Sequence, residues 1–114
     1  MGYTDLVHLD GSIERLVDNN EDAEVDPWEI TNGAAGYNAV SRHVVYAGGV
    51  SKHDGKPLDT RTLEQKKALA DYVRNFHSRF PQIRIVGHNE LNSKKACPSF
   101  DVQEWLRSLG IRQA

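Results

Sequence analysis

The strongest constraint on the fold of this chain is an amphipathic segment that begins at Thr62. Thr62 and Gln65 have capping-box spacing, so their side chains can satisfy backbone donors at the start of a helix. The apolar residues that follow recur at helical spacing, and Pro81 is expected to end the helix. These apolar residues are Leu69, Tyr72, Val73, Phe76 and Phe80. The stripe they form predicts a long helix with one buried face.

The chain before this helix has the patterns of strands and loops. Residues 3–9 alternate loosely, Asp10-Gly11 is a two-residue turn signal, and residues 12–17 return as a second strand, which predicts a hairpin. Residues 41–50 carry β-branched and aromatic side chains and stop at Gly48-Gly49, which predicts a central strand. The intervening segments are an acidic stretch at 18–26, a Gly/Asn-rich loop at 31–38 and a polar loop at 51–59.

The chain after the long helix predicts one more strand and one more helix. Ile83, Ile85 and Val86 are expected to form a short buried strand that runs into Gly87. A last helix is predicted with Asp101 and Glu104 at capping positions and Gly110 at its carboxyl end. Its buried face would consist of Val102, Trp105, Leu106 and Leu109. The order hairpin, strand, helix, strand, helix predicts an α/β fold with helices packed on a mixed sheet.

Length and composition restrict the class of protein. The 114 residues are expected to form a single domain, 1–114, with one modest core. The net charge of −2 gives no general attraction to nucleic acid or to an anionic membrane. No run is apolar enough to span a membrane and no leader opens the chain, so we expect a soluble protein that is cytoplasmic at synthesis. A single cysteine excludes an internal disulfide.

His88 and Cys97 are the candidate chemical groups of the carboxy-terminal third. His88 is expected at the end of the buried strand, and Cys97 just before a helix start, where the helix dipole and nearby lysines would favour the thiolate. An imidazole and a thiolate joined by a short loop form half of a tetrahedral zinc site. The other interpretation is a surface histidine and a core cysteine, and the spacing alone does not choose between them.

The residues around Cys97 add a family resemblance. His88, then Lys95-Ala96-Cys97-Pro98-Ser99-Phe100-Asp101, then Trp105 resemble the carboxy-terminal signature of zinc-dependent N-acetylmuramoyl-L-alanine amidases of the phage-lysozyme type, relatives of the peptidoglycan-recognition proteins. The resemblance covers nearly the whole chain. Its other landmarks are Gly2-Tyr3, Asp10-Gly11-Ser12-Ile13-Glu14, Gly36-Tyr37-Asn38, Ser41 and Gly48-Gly49.

The resemblance implies a peptidoglycan hydrolase that cleaves the amide between the muramic acid lactyl group and L-alanine, and so acts on the cell wall. Phage lysis and wall remodelling both remain open as its role, and the lack of a leader favours a phage-type lysin. His88 and Cys97 would be zinc ligands, and the metal would activate the attacking water. Lys95 would stabilise the oxyanion, with Lys94 as an adjacent rival for that role. Tyr3 matches the family's catalytic tyrosine. Tyr37 and Asn38 match its substrate loop, so they are expected to bind muropeptide.

The chain also departs from the family pattern. The family's first zinc ligand is a histidine on a strand that precedes the Gly-Tyr hairpin, and neither that strand nor the helix after it has a counterpart here. The expected fold is therefore an amino-terminally truncated amidase fold whose exposed sheet surface favours homo-oligomers. Thr4 and Gly33 stand where relatives carry histidines. His43 replaces a small residue on the predicted central strand, where it can make a new contact.

The remaining histidines are weaker candidates for the missing ligand. His8 is expected on the opposite face of the Tyr3 strand. His53 and His77 are most simply solvated. These residues leave His43 as the one histidine with a plausible route to the site.

Residues 18–29 superficially resemble a calcium loop, because oxygen-bearing side chains fall at the spacing of such ligands. Ala23 replaces the glycine that the sharp turn needs, and Pro27 is awkward there. A solvated acidic loop is the preferred interpretation. Trp28 within it either packs on the sheet or lines the glycan cleft.

Three functional classes remain open from the sequence. The first is a zinc amidase. The second is a catalytically impaired module that binds peptidoglycan without cleaving it, because the first zinc-ligand histidine is absent. The third is a cysteine hydrolase that uses Cys97 with His88.

Overall fold

The computed structural model describes residues 2–113 and contains a three-stranded mixed sheet with the order β2-β1-β3. The strands are β1 (Asp5–Val7), β2 (Ile13–Arg15) and β3 (Val44–Tyr46). β1 pairs antiparallel with β2 and parallel with β3, so that Val7 lies opposite both Ile13 and Tyr46. The predicted α/β class, with helices on a mixed sheet, is confirmed.

The hairpin at the start of the chain is also confirmed, although its strands are shorter than predicted. The His8 N–H donates to the Ser12 carbonyl at 2.8 Å, and the Gly11 N–H donates to the His8 carbonyl at 2.9 Å. Gly11 has a φ of +86°, which a residue without a Cβ adopts easily. The prediction of a central strand at 41–50 is wrong in position, because β1 is central and β3 lies at the edge of the described sheet.

Helix α1 (Leu63–Arg79) begins with the predicted capping box. The Gln65 N–H donates to Thr62 Oγ1 at 3.0 Å, and the Thr62 N–H donates to Gln65 Oε1 at 2.9 Å. Leu69 packs against Val7 and Tyr46, so the apolar stripe holds α1 on one face of the sheet. Among the described residues, no helix is both long and apolar enough to cross a bilayer.

Helix α2 (His88–Leu91) was not predicted, whereas α3 (Val102–Ser108) was. Asp101 caps α3 by accepting a hydrogen bond from the Glu104 N–H at 3.0 Å. At the other end, Gly110 has a φ of +78° and donates its N–H to the Arg107 carbonyl at 3.0 Å. This is a Schellman ending, as the glycine position predicts. A second apolar cluster joins α3 to α1 through Val73, Val102, Leu106 and Ile111.

The strand predicted at 83–86 does not form within the described residues. The side chain of Ile85 packs against the α3 cluster, as its apolar character requires. Its backbone, however, bonds to side chains rather than to a neighbouring strand. The Ile85 N–H donates to Gln113 Oε1 at 2.6 Å, and its carbonyl accepts from Gln103 and Gln113, each at 2.9 Å.

The acidic stretch at 18–26 is a largely exposed loop whose backbone is held near both ends by hydrogen bonds to one buried side chain, that of Glu29. Glu29 is buried in the short 3₁₀ turn Pro27–Glu29 and accepts from the backbone N–H groups of Asn20 and Asp26, at 2.5 and 2.8 Å. Arg42 also reaches Glu29 Oε1, at 3.5 Å. Trp28 in the same turn is 55% exposed, so it does not pack on the sheet.

Candidate functional site

Cys97 lies in a tight turn, residues 96–99, which the Ser99 N–H closes by donating to the Ala96 carbonyl at 2.7 Å. The half-buried thiol lines a cleft of about 190 Å³ between this turn and the chain that follows β3. Tyr46 and Gly49 form the opposite wall of the cleft. The turn and the end of β3 therefore enclose one side of the candidate site.

Burial raises the pKa of the Cys97 thiol. The expectation that a helix dipole and lysines favour the thiolate is therefore wrong. Helix α3 begins only at Val102, and the side chains of Lys94 and Lys95 are exposed. Burial of a thiol without a charged partner favours its protonated form, whereas a bound metal ion favours the thiolate.

His88 is the first residue of α2, and the prediction that it ends a strand is wrong. Gly87 precedes it in an extended conformation, with φ −82° and ψ 152°. A Cβ at Gly87 would lie 3.0 Å from a methyl of Val102 and 3.2 Å from Pro98, so a glycine lets α2 approach the Cys97 turn closely. The Asn89 N–H donates to the Cys97 carbonyl at 2.9 Å. The structure therefore brings the backbones of His88 and Cys97 together.

His43 lies one residue before β3, close enough to His88 for their charges to interact. Its Nδ1 is 2.6 Å from Thr31 Oγ1, and its Nε2 is buried without a hydrogen-bond partner. Burial lowers the pKa of His43, and the charge of His88 lowers it further. A Cβ added at Gly33 would overlap the His43 ring. The His43 imidazole therefore fills the space that a side chain at position 33 would need.

The other predicted site residues lie in separate segments of the chain. Tyr3 is half-buried and precedes β1 by two residues. Lys94 and Lys95 are both exposed, and the backbone N–H of Lys95 donates to the Asn92 carbonyl at 3.0 Å. Tyr37 is 41% exposed. Asn38 holds the shape of its own loop, because its Oδ1 accepts from the Ala34 N–H at 3.0 Å.

Imidazole nitrogen and thiolate sulfur are both preferred zinc donors, so the chemistry of His88 and Cys97 fits that metal. A three-donor catalytic site is a different matter. Within residues 2–113, no group of three or more His, Cys, Asp or Glu side chains could hold a metal ion. The described residues therefore supply two donors of the right kind, and not a complete catalytic set.

Sequence reasoning missed two hydroxyl groups that hold the Cys97 turn in place. Tyr46 Oη donates to the Pro98 carbonyl at 2.6 Å, and Ser99 Oγ donates to the Gly49 carbonyl at 2.8 Å. Tyr46 is 52 residues away from Pro98 in the chain, so no local spacing could have revealed the contact. Its only sequence signal is an aromatic residue with a hydroxyl at the end of a buried strand.

The fold is shared with N-acetylmuramoyl-L-alanine amidases. The structure matches LysC from Clostridium intestinale URNW with a TM-score of 0.69 and 19% identity, over 97% of this chain and 66% of that chain. It matches LysCS, an endolysin amidase from Clostridium intestinale URNW, with a TM-score of 0.69 and 18% identity, over 97% of this chain and 64% of that chain. At these identities the likeness identifies the fold.

The amino-acid sequence is similar to two phage endolysins. It is 30% identical to the endolysin of Enterobacteria phage K11 over 108 residues, which cover 95% of this chain and 65% of the relative. It is 29% identical to the endolysin of Escherichia phage T7 over 105 residues, which cover 92% of this chain and 63% of the relative. The chain thus spans slightly less than two thirds of these relatives. No family model matches it.

Proposed function

We propose that this chain acts in peptidoglycan hydrolysis, as a phage-type N-acetylmuramoyl-L-alanine amidase that uses zinc. One observation carries the proposal: the Asn89–Cys97 hydrogen bond of 2.9 Å joins the backbone next to His88 to the Cys97 turn. The segments that carry the two zinc-type donors are thus joined through their backbones, and Cys97 lines a cleft in a fold shared with two amidases. The similarity to two endolysins supports a cell-wall substrate.

In this proposal His88 and Cys97 hold the zinc ion. A zinc ion held there would supply a Lewis acid for the amide carbonyl and would lower the pKa of a bound water to near neutrality. The exposed ammonium of Lys95 is free to approach the scissile amide and to stabilise negative charge on its oxygen. Tyr3 orients the attacking water or the tetrahedral intermediate through its hydroxyl.

The substrate in this proposal is muropeptide, and neither nucleic acid nor a membrane takes part. The exposed ring of Tyr37 offers an apolar face to a sugar or a stem peptide. Asn38 keeps the loop that carries Tyr37 in shape through its bond to the Ala34 N–H. The exposed indole of Trp28 is a further surface of the same chemical kind.

A second candidate function is a peptidoglycan-binding module that no longer cleaves. It is favoured by the donor count, because His88 and Cys97 have no third metal-binding side chain beside them in the described part of the chain. A site with two protein donors holds zinc more weakly than a three-donor catalytic site. A cysteine hydrolase has less support, because burial raises the pKa of the Cys97 thiol whereas a nucleophile needs the thiolate.

A muropeptide-cleavage assay with and without added zinc tests the proposal. The zinc-loaded chain should release free stem peptide, and His88→Ala and Cys97→Ala should each abolish release. His53→Ala is the matched control, because His53 lies exposed in the separate loop at 51–56 and should leave release unchanged.

The other outcomes of the assay separate the candidate functions. Binding of muropeptide without release would identify the binding module instead. Release that persists with a chelator and stops on alkylation of Cys97 would identify a cysteine hydrolase. A chain that neither binds nor cleaves muropeptide would refute both the amidase and the binding-module proposals.

A further inference from the structure

Tyr46 connects the sheet directly to the turn that carries Cys97. It is the last residue of β3, and its ring is 5% exposed and packs with Val7 and Leu69 in the core. Its hydroxyl donates to the carbonyl of Pro98, the residue after Cys97, at 2.6 Å. A tyrosine that is held in the core and also bonded to a surface turn transfers the rigidity of the sheet to that turn.

Ser99 makes a second connection at the other end of the same turn. Its hydroxyl donates to the Gly49 carbonyl at 2.8 Å, and its backbone has a φ of +71°. A left-handed conformation is unfavourable for serine and persists only where surrounding contacts hold it. The Cys97 carbonyl accepts from the Asn89 N–H at 2.9 Å, which adds a third fixed point on the His88 side.

We propose that Tyr46 and Ser99 are positioning residues that hold the Cys97 turn against the end of β3 and so fix the Cys97 sulfur relative to His88. The inference rests on the proposed role of Cys97 as a metal ligand, and it extends that role to two residues that do not touch the metal. Partners that orient a metal ligand typically change metal affinity by about 10- to 100-fold when they are removed.

The Tyr46 hydroxyl could instead serve stability alone, since a buried carbonyl needs a donor. Tyr72 provides a matched control for that alternative. Its hydroxyl donates to Asp5 Oδ2 at 2.7 Å, and it lies on α1 rather than at the Cys97 turn. Tyr72→Phe and Tyr46→Phe therefore each remove one hydroxyl that donates a hydrogen bond, and only Tyr46→Phe removes it from the Cys97 turn.

The test is a metal titration of the full chain. Cobalt(II) is added to metal-free protein, the thiolate-to-cobalt absorption band is followed, and zinc is then used to displace cobalt, which gives both dissociation constants. Cys97→Ala defines the signal without the thiolate. Tyr46→Phe and Ser99→Ala should each weaken metal binding by about 10-fold or more, whereas Tyr72→Phe should leave both constants unchanged. Urea unfolding of each variant measures stability in parallel.

The outcomes distinguish this inference from the proposed function. If the wild-type chain shows the Cys97-dependent band and Tyr46→Phe binds cobalt equally well, the positioning role is wrong while the metal site stands. If Tyr46→Phe does not fold, Ser99→Ala decides, because Ser99 lies outside the apolar core. If the wild-type chain shows no Cys97-dependent band, the metal site itself is wrong and the inference fails with it.

Discussion

The contact between Gly33 and His43 leads to a sharp prediction about stability. A Cβ built on Gly33 would lie 2.8 Å from the Cβ of His43, closer than Cβ atoms in proteins approach one another. The φ of Gly33 lies outside the left-handed region, unlike that of Gly36, which is +88°. Alanine at position 33 is therefore acceptable to the backbone, and the obstacle to it is the His43 side chain, its Cβ as well as its ring.

The magnitude follows from two opposing terms. Overpacking a tight site costs about 1–3 kcal/mol. Replacement of glycine by alanine at a permissive backbone position returns about 0.4–1 kcal/mol, because the unfolded chain loses freedom. Gly33→Ala should therefore lower the free energy of unfolding by roughly 1–2 kcal/mol. In a His43→Gly background both the ring and the Cβ of His43 are gone, so the overlap disappears and the same change should be neutral or stabilising by up to about 1 kcal/mol.

Urea unfolding of a double-mutant cycle measures this coupling. Wild type, Gly33→Ala, His43→Gly and the double variant should give a coupling energy of about 1–3 kcal/mol, which is the cost of overpacking. Gly2→Ala is the control, because a Cβ at Gly2 meets nothing within 4 Å. It should change stability by less than about 0.5 kcal/mol. If Gly33→Ala costs the same with and without the His43 side chain, steric exclusion by that side chain is refuted.

Three further predictions concern the thiol, one ion pair and one buried amide. Because burial raises the pKa of Cys97, alkylation of the metal-free folded chain should reach half of its maximal rate at a higher pH than alkylation of the urea-unfolded chain. Equal pH midpoints of alkylation in the two states would contradict the burial argument. Hydrogen bonds from Arg61 lower the pKa of Asp59 in the folded chain. The stability that this ion pair contributes is therefore present above the pKa of Asp59 in the unfolded chain, and it is lost as the pH falls through the pKa of Asp59 in the folded chain. Asp59→Asn should therefore flatten the loss of stability between about pH 4 and pH 2 in urea titrations, and an unchanged slope would count against the pair. Gln65 is fully buried, and its side-chain amide donates to the Val7 and Ala47 carbonyls at 3.2 and 2.9 Å. Gln65→Leu should therefore lower the free energy of unfolding by about 1–3 kcal/mol. A loss below about 0.5 kcal/mol in urea unfolding would show that those bonds are dispensable.

Local sequence signals predicted the features of the fold that depend on neighbouring residues. Thr62 and Gln65 sit three residues apart, and both capping bonds form as their spacing requires. Asp101 and Gly110 likewise mark the two ends of α3, since caps are interactions within one turn. The strand order did not follow from such signals. The run of β-branched and aromatic residues at 44–46 suits a strand in the centre or at the edge of a sheet, so its composition does not decide the strand order.

The candidate site was predictable in its donors and not in its geometry. His88 and Cys97 stand out as residue types, and the motif around Cys97 draws attention to both. The protonation state of the thiol was predicted wrongly, because it depends on how deeply the turn is buried and not on the nearby lysines in the sequence. Tyr46 was missed for a related reason: its contact with Pro98 joins segments that only the tertiary fold brings together.

The strand predicted at 83–86, which the structure does not contain, has the same cause as the errors at Cys97 and Tyr46. The apolar pattern correctly placed Ile85 in the core, but a pattern of side chains says nothing about which groups bond to the backbone. Here the side-chain amides of Gln103 and Gln113 bond to the backbone of Ile85. The segment 83–86 therefore leads to His88 without pairing with a neighbouring strand, which would have fixed its register. The placement of the His88 segment beside the Cys97 turn therefore depends on hydrogen bonds to that turn from Asn89 of α2 and Tyr46 of β3. It follows that removing one hydroxyl from the core should alter this site more than changing an exposed residue beside it.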